Sequence, residues 1–191
     1  MNKAELRKKC REIINGTPPE KFSDWGKRIC SLISETNEWK LAKTVFAFVS
    51  MKGEADTAPL IAAALQNGKR LCVPKITGDG KMEAVEIKNI SELKCGKFGI
   101  LEPAEGCTSV EKSGIDLIVM PCLAADEKGN RLGRGGGYYD RFCEKVSSNK
   151  IIICPETLLM KCGEIPTEEH DASADIIATE RRILTVSPKI D

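Results

Sequence analysis

Two short apolar runs constrain the fold more than any other feature of the chain. Ile115-Asp116-Leu117-Ile118-Val119-Met120-Pro121 and Ile151-Ile152-Ile153-Cys154 are rich in β-branched residues and do not alternate with polar ones. A parallel sheet buries runs of this kind on both faces, because helices cover each side of it. Segments of helical spacing lie between the strand candidates. Lys3 to Ile14 has that spacing and stops at Asn15-Gly16. Thr17-Pro18-Pro19-Glu20 predicts the next helix start, with threonine at the cap, and the helix runs through Trp25 and Ile29 to Ser34. Thr44 to Val49 is a strand candidate, followed by a loop from Ser50 to Glu54 and a helix from Thr57 to Asn67 closed by Gly68. Arg70 to Val73 and Lys81 to Ile87 read as strands, Lys94 to Pro103 as loop, and Asp175 to Thr179 and Ile183 to Val186 as two final short strands. Strands alternating with helices predict an α/β fold: an open, mostly parallel sheet flanked by helices, Rossmann-like in its layering, with ligands at the carboxyl ends of the strands. With 191 residues and no internal repeat, low-complexity tract or linker, residues 1–191 are expected to form a single domain.

The run Arg131-Leu132-Gly133-Arg134-Gly135-Gly136-Gly137-Tyr138-Tyr139-Asp140-Arg141 places four glycines, three arginines, two tyrosines and a carboxylate inside eleven residues. It falls between the strand at Ile115 to Pro121 and a helix predicted from Tyr138 to Val146, where Phe142 and Val146 would share a face. Unhindered backbone N–H groups beside a helix start favour an anion, so the expected ligand is a nucleotide or another polyphosphate. Neither common phosphate loop fits. A P-loop needs Gly-Lys-Ser/Thr where Gly137 is followed by Tyr138 and Tyr139. The dinucleotide fingerprint needs glycines at relative positions one, three and six, whereas counting from Gly133 gives Gly135 and then Tyr138. A glycine triplet alone also reads as a flexible turn, but such a turn has no need of the flanking arginines, paired tyrosines and Asp140.

Charge and cysteine usage exclude several classes. Lys and Arg total 29 against 28 Asp and Glu, which leaves no basic field for nucleic acid. Nine cysteines without a Cys-x-x-Cys pair read as free thiols of a reducing cytosol. Met1 to Arg7 lacks the apolar core of a signal peptide, and no run of about 18 apolar residues occurs, so a soluble, cytoplasmic protein without membrane partners is expected. A monomer is the expected state. Any Ser-His-Asp triad or histidine-rich metal site would have to use His170, the one histidine, which sits in the polar loop Pro166 to Asp171 and reads as a surface residue.

The segment Arg131 to Asp140 closely resembles the signature of the 5-formyltetrahydrofolate cyclo-ligase family, also called 5,10-methenyltetrahydrofolate synthetases. Lys3 and Arg7, Gly53-Glu54-Ala55-Asp56-Thr57, Phe98-Gly99-Ile100-Leu101-Glu102-Pro103 and His170-Asp171 to Asp175 match further family blocks in order across nearly the whole chain. The resemblance implies an ATP-dependent enzyme that needs magnesium and makes 5,10-methenyltetrahydrofolate from 5-formyltetrahydrofolate. It implies ATP contacts from Lys3, Arg7, Arg131, Leu132, Gly133, Arg134, Gly135, Gly136, Gly137, Tyr138 and Tyr139, with Arg134 catalytic. It assigns the folate to Val49, Glu54, Phe98 and Tyr138, and magnesium to Asp140 and Asp171. From the residues alone other readings stay open: Lys3 and Arg7 as a solvated helix face, Asp140 as a stabilising first-turn carboxylate, Glu54 as a helix-entry carboxylate and Phe98 as a core aromatic. The segment Met120 to Asp126 departs from the family's Pro-Gly-Leu-Ala-Phe-Asp, with Cys122 in place of the glycine and Ala125 in place of the phenylalanine, which is expected to loosen packing behind the loop. An enzyme acting on another formylated or pterin-like acceptor, and a folate- or nucleotide-binding protein without catalysis, are the competing functions.

Overall fold

The computed structural model describes residues 1–96 and 101–186. The first helix, α1 (Lys3–Asn15), is fixed by a capping box: the Asn2 side chain accepts from the Ala4 and Glu5 N–H groups while the Glu5 carboxylate accepts from Asn2 N–H. Helix α2 (Pro19–Ser34) begins as predicted except for its cap. Pro18 takes that position, and the Thr17 hydroxyl donates back to the Ile13 carbonyl of α1 at 2.9 Å. A short helix, α3 (Asn37–Leu41), capped by Thr36, is an element the periodicity does not predict.

Strand β1 (Thr44–Ala47) stops before the predicted Val49. Thr57 stands at the start of α4 (Ala58–Gln66), but its hydroxyl turns back, accepting from Ser50 N–H at 2.9 Å and donating to the Phe48 carbonyl at 3.0 Å. This ties the loop after β1 into a rigid excursion. Strand β2 (Arg70–Gly78) continues through Pro74, well past Val73, and turns at Asp79-Gly80 into β3 (Lys81–Ile87), an antiparallel arm. Asp-Gly between two strand patterns is a hairpin signal, and Gly80 takes the positive φ, 67°, that the turn requires.

The predicted Lys94 to Pro103 loop instead contributes strands β4 (Leu93–Cys95) and β5 (Leu101–Pro103), which pair antiparallel. Strands of three residues are too short for alternation to be read. The chain continues through β6 (Ser109–Val110), β7 (Leu117–Pro121), β8 (Ala124–Asp126), β9 (Arg131–Leu132), α5 (Tyr138–Cys143), β10 (Asn149–Ile153), β11 (Leu159–Met160), β12 (Ile176–Ala178) and β13 (Ile183–Thr185). Helix α5 ends at Cys143 and Lys145 takes φ +57°, so the predicted extension to Val146 fails and Phe142 shares no helix face with it.

Among the described residues the main sheet has the order β13-β12-β10-β7-β1-β2-β3-β6, and β12, β10, β7, β1 and β2 run parallel. The mostly parallel α/β sheet expected from the two apolar runs is the one observed. Residues of β7 divide between two cores: Ile118 and Met120 pack with Leu6, Phe46 and Phe142, while Leu117 and Val119 pack with Ile29, Ile33 and Leu60. Leu117 to Met120 are all buried, which explains why polar residues cannot alternate there. Each such Leu or Ile contributes about 1.5–3 kcal/mol by leaving water. Connections from β1 lead to β2 on one side, and those from β7 lead to β10 on the other. The strand order therefore reverses between β1 and β7, where an open α/β sheet forms its ligand crevice.

Candidate active site

A cleft of roughly 790 Å³ opens at that crevice, beyond the carboxyl ends of β1 and β7. Its floor is the glycine-rich loop, which leaves the small sheet β11-β8-β9 and enters α5. The hairpin β8–β9 between β7 and this loop was not predicted. Gly135 and Gly137 hold φ +109° and +65°, a region costly for other residues. A Cβ on Gly136 would lie 2.8 Å from the Tyr138 ring. Among the described residues, no acceptor meets the N–H of Gly133, Arg134, Gly135, Gly136 or Gly137. A row of unclaimed N–H groups before a helix is a concavity for an anion.

Charged side chains converge on this floor. Arg7 reaches from α1, its Nε donating to the Gly133 carbonyl at 2.9 Å. Arg134 crosses the cleft, with Nε and a terminal nitrogen donating to Glu54 Oε1 at 3.0 and 2.8 Å. Glu54 Oε2 accepts from Met51 N–H at 2.9 Å, so the loop after β1 presents one carboxylate against the phosphate-receptive loop. Below them Arg131, its side chain only 4% exposed, donates to Asp140 Oδ1 at 2.6 Å and lies over the Tyr139 ring at 5.6 Å. Asp140 Oδ1 also accepts from Ala172 N–H, whereas Oδ2 meets no donor among the described residues. Burial pushes the Tyr139 phenol above its ordinary pKa, the nearby Glu54 carboxylate adds to that, and Arg131 opposes it.

Lys3 Nζ donates to both oxygens of Asp171, at 3.0 and 2.7 Å, and lies 3.4 Å from Glu168. Burial alone would raise the Asp171 pKa, but hydrogen bonds from Lys3 and from Glu168 N–H outweigh it and hold the carboxyl below its ordinary 3.8. A carboxylate with a lowered folded pKa stabilises the protein above the unfolded value, and that stability is lost as pH falls through the folded one. Asp171→Asn is therefore expected to reduce stability at pH 6 and to flatten the acid side of the stability curve below 3.8. Thermal melts across pH 2–6 check this, and identical acid limbs in both proteins would contradict it.

Most of the residues singled out from the sequence meet in this cleft: Lys3, Arg7, Glu54, Arg131 to Tyr139, Asp140 and Asp171 line it. Leu132 is fully buried and serves as an anchor under the loop. Val49 is not brought to the cleft; it packs against the core around Ile29 and Leu60, and Phe48 lines the cleft in its place. Phe98 lies outside the described residues. His170 is exposed, as expected of a surface histidine. Asp140 and Asp171 line the same cleft, and among the described residues Glu168, His170 and Asp171 form a group whose ligand atoms lie within 4.8 Å of one another. Sequence reasoning missed the cleft wall from the β2–β3 arm, Pro74, Ile76 and Met82, although Asp79-Gly80 announces its turn. Cys122 also lines the cleft, with its thiol donating to the Ile153 carbonyl at 3.4 Å, and Ala125 is fully buried in β8.

A mostly parallel open sheet with an anion-receptive glycine loop at its switch point defines an α/β protein with its ligand cleft at the strand ends. The chain belongs to the 5-formyltetrahydrofolate cyclo-ligase family, whose model matches residues 1–180. The 5-formyltetrahydrofolate cyclo-ligase of Mus musculus is 30% identical over 156 residues, covering 75% of this chain and 76% of its own. That of Escherichia coli K12 is 29% identical over 179 residues, covering 91% of this chain and 97% of its own. The solved structure of Aquifex aeolicus 5,10-methenyltetrahydrofolate synthetase superposes with a TM-score of 0.86 at 30% identity, covering 100% of this chain and 96% of that one. No helix of the described residues is long and apolar enough to cross a membrane.

Proposed function

We propose that this chain uses ATP to close 5-formyltetrahydrofolate into 5,10-methenyltetrahydrofolate, releasing ADP and phosphate. The observation that carries this reading is the Arg134–Glu54 pair, which joins a phosphate-receptive loop to a nearly buried carboxylate across one cleft. The formyl group on N5 is an amide, and its oxygen is a poor leaving group. Transfer of the γ-phosphoryl to that oxygen makes an iminium phosphate; N10 then attacks the formyl carbon, the ring closes and phosphate leaves. Positioning and charge neutralisation are what such a transfer asks of a protein.

In this reading the free N–H groups of Gly133 to Gly137 and the cations Lys3 and Arg7 receive the triphosphate, with Arg131, Leu132, Tyr138 and Tyr139 shaping its bed. Arg134 grips the moving phosphoryl with a planar guanidinium. Glu54 accepts from the amino-substituted edge of the pterin, and Tyr138 lies where the two substrates meet. Asp140, with one oxygen unclaimed, and Asp171 offer the hard carboxylate oxygens that magnesium takes alongside phosphate and water. When bound, that ion supplies charge neutralisation on the phosphate oxygens. The nine free thiols support a reducing, cytoplasmic setting, and we read the protein as a monomeric single domain.

Mixing the purified protein with 5-formyltetrahydrofolate, magnesium and ATP tests the reading: the ultraviolet absorbance of the methenyl product should grow only when ATP is present. Binding of both substrates without product or ADP would overturn it. Glu54→Gln, which keeps shape and removes charge, is expected to raise KM for the folate by roughly 10–100-fold with KM for ATP nearly unchanged, since hydrogen bonds to a charged group are worth about 1.5–3 kcal/mol. Steady-state kinetics with each substrate varied in turn reads both constants, and an unchanged folate KM would remove Glu54 from the pterin site.

A further inference from the structure

Arg141 has no part in the assignments above and does not line the cleft, yet its guanidinium joins two of the cleft's walls. Nε donates to the Gly80 carbonyl at 2.8 Å, in the turn between β2 and β3. A terminal nitrogen donates to the Gly136 carbonyl in the glycine-rich loop. The plane stands 5.8 Å from the Tyr138 ring centre, and Lys112 Nζ donates to the Arg141 backbone carbonyl at 3.3 Å. The slot it occupies is made by two glycines, Gly80 and Gly137, at φ +67° and +65°. A Cβ on Gly137 would stand 2.6 Å from the guanidinium, and one on Gly80 would overlap it.

We propose that Arg141 is a positioning residue for the nucleotide: it aims the Gly136–Gly137 peptide and braces the glycine-rich loop against the β2–β3 arm. The inference rests on the reading of that loop as the ATP phosphate site. In a trans peptide the C=O and N–H point in opposite directions. Holding the Gly136 carbonyl on the side away from the cleft therefore turns the Gly137 N–H, which meets no acceptor among the described residues, the other way. Without the guanidinium this peptide, flanked by glycines, is free to rotate, since glycine resists few backbone conformations. The same side chain is anchored on the arm whose strands carry Pro74, Ile76 and Met82 into the cleft, so loop and wall move together. A lysine keeps the charge but is a single point, and one ammonium on a flexible stem does not reproduce a rigid fork that serves two carbonyls.

The test is calorimetric titration of the wild type, R141A and R141K with a non-hydrolysable ATP analogue plus magnesium, alongside steady-state kinetics. R141A is expected to bind the analogue on the order of tenfold more weakly and to raise KM for ATP in proportion, with KM for the folate unchanged. R141K should stay impaired, and added guanidinium ion should recover part of the nucleotide affinity in R141A. Should R141A melt early, R141K supplies the same comparison in a side chain of similar bulk. Analogue affinity equal to wild type in R141A, or full recovery in R141K, would overturn the brace; so would an equal loss for both substrates. A wild type that binds the analogue but forms no methenyl product would sink the substrate reading alone and leave the comparison of affinities standing.

Discussion

Arg134→Ala is expected to lower kcat by about 10³-fold or more, in the range seen when a transition-state arginine is removed from phosphoryl transfer. This guanidinium donates two hydrogen bonds to one oxygen of Glu54. Its own side chain is 44% exposed, so substrate can draw it away. The stability change should stay within about 1 kcal/mol, because the Arg134 half of the pair is solvent-exposed and Glu54 keeps its hydrogen bond from Met51 N–H. Arg134→Lys is expected to restore little, since an ammonium cannot hold two equatorial oxygens at once. The methenyl absorbance assay decides the matter: turnover of Arg134→Ala within tenfold of wild type would take the residue out of the transition state. Melting curves for the same preparation separate that outcome from unfolding.

Asp140→Ala has the largest expected effect on stability. Its partner Arg131 is 4% exposed, and Arg131 Nε already lacks a hydrogen-bond partner. Removing the carboxylate leaves a guanidinium charge buried without compensation, which costs about 3–5 kcal/mol. At this chain length that corresponds to a fall in Tm of roughly 6–20 °C. Turnover should disappear as well, because Asp140 is one of the two carboxylates assigned to magnesium. The double variant Arg131→Met with Asp140→Ala separates the two effects. Exchange of a buried ion pair for apolar packing is often near neutral, so stability should return while activity stays absent. A single variant that melts with wild type would show that the pair contributes nothing measurable.

The legibility of the protein differs between its parts for physical reasons. The central strands could be read because a parallel sheet covered on both faces admits no polar residue, and Leu117 to Met120 and Ile151 to Ile153 carry that constraint in their composition. The glycine loop could be read because its backbone conformations are open to few other residues, so Gly135 and Gly137 declare themselves. Short elements were not legible. The three-residue strands β4, β5 and β8 are too short for a period of two to show, and Thr17 lost its predicted cap because Ile13 of the preceding helix offered its hydroxyl a carbonyl. Val49 lies beyond β1, which ends at Ala47, so the strand pattern does not say which way its side chain faces.

By itself the sequence determined the fold class, the anion-receptive loop and the residue types of the cleft, because these follow from local constraints: burial on two faces, positive φ, charge. Which of those residues meet was decided by the tertiary structure alone. Glu54 and Arg134 stand 80 positions apart, Lys3 and Asp171 stand 168 apart, and their pairing depends on the reversal of strand order between β1 and β7. The bracing contact of Arg141 with Gly80 is of the same kind. Spacing along a chain speaks only for neighbours on one helix or strand, whereas a contact between loops exists only once the sheet has carried their ends to a common edge.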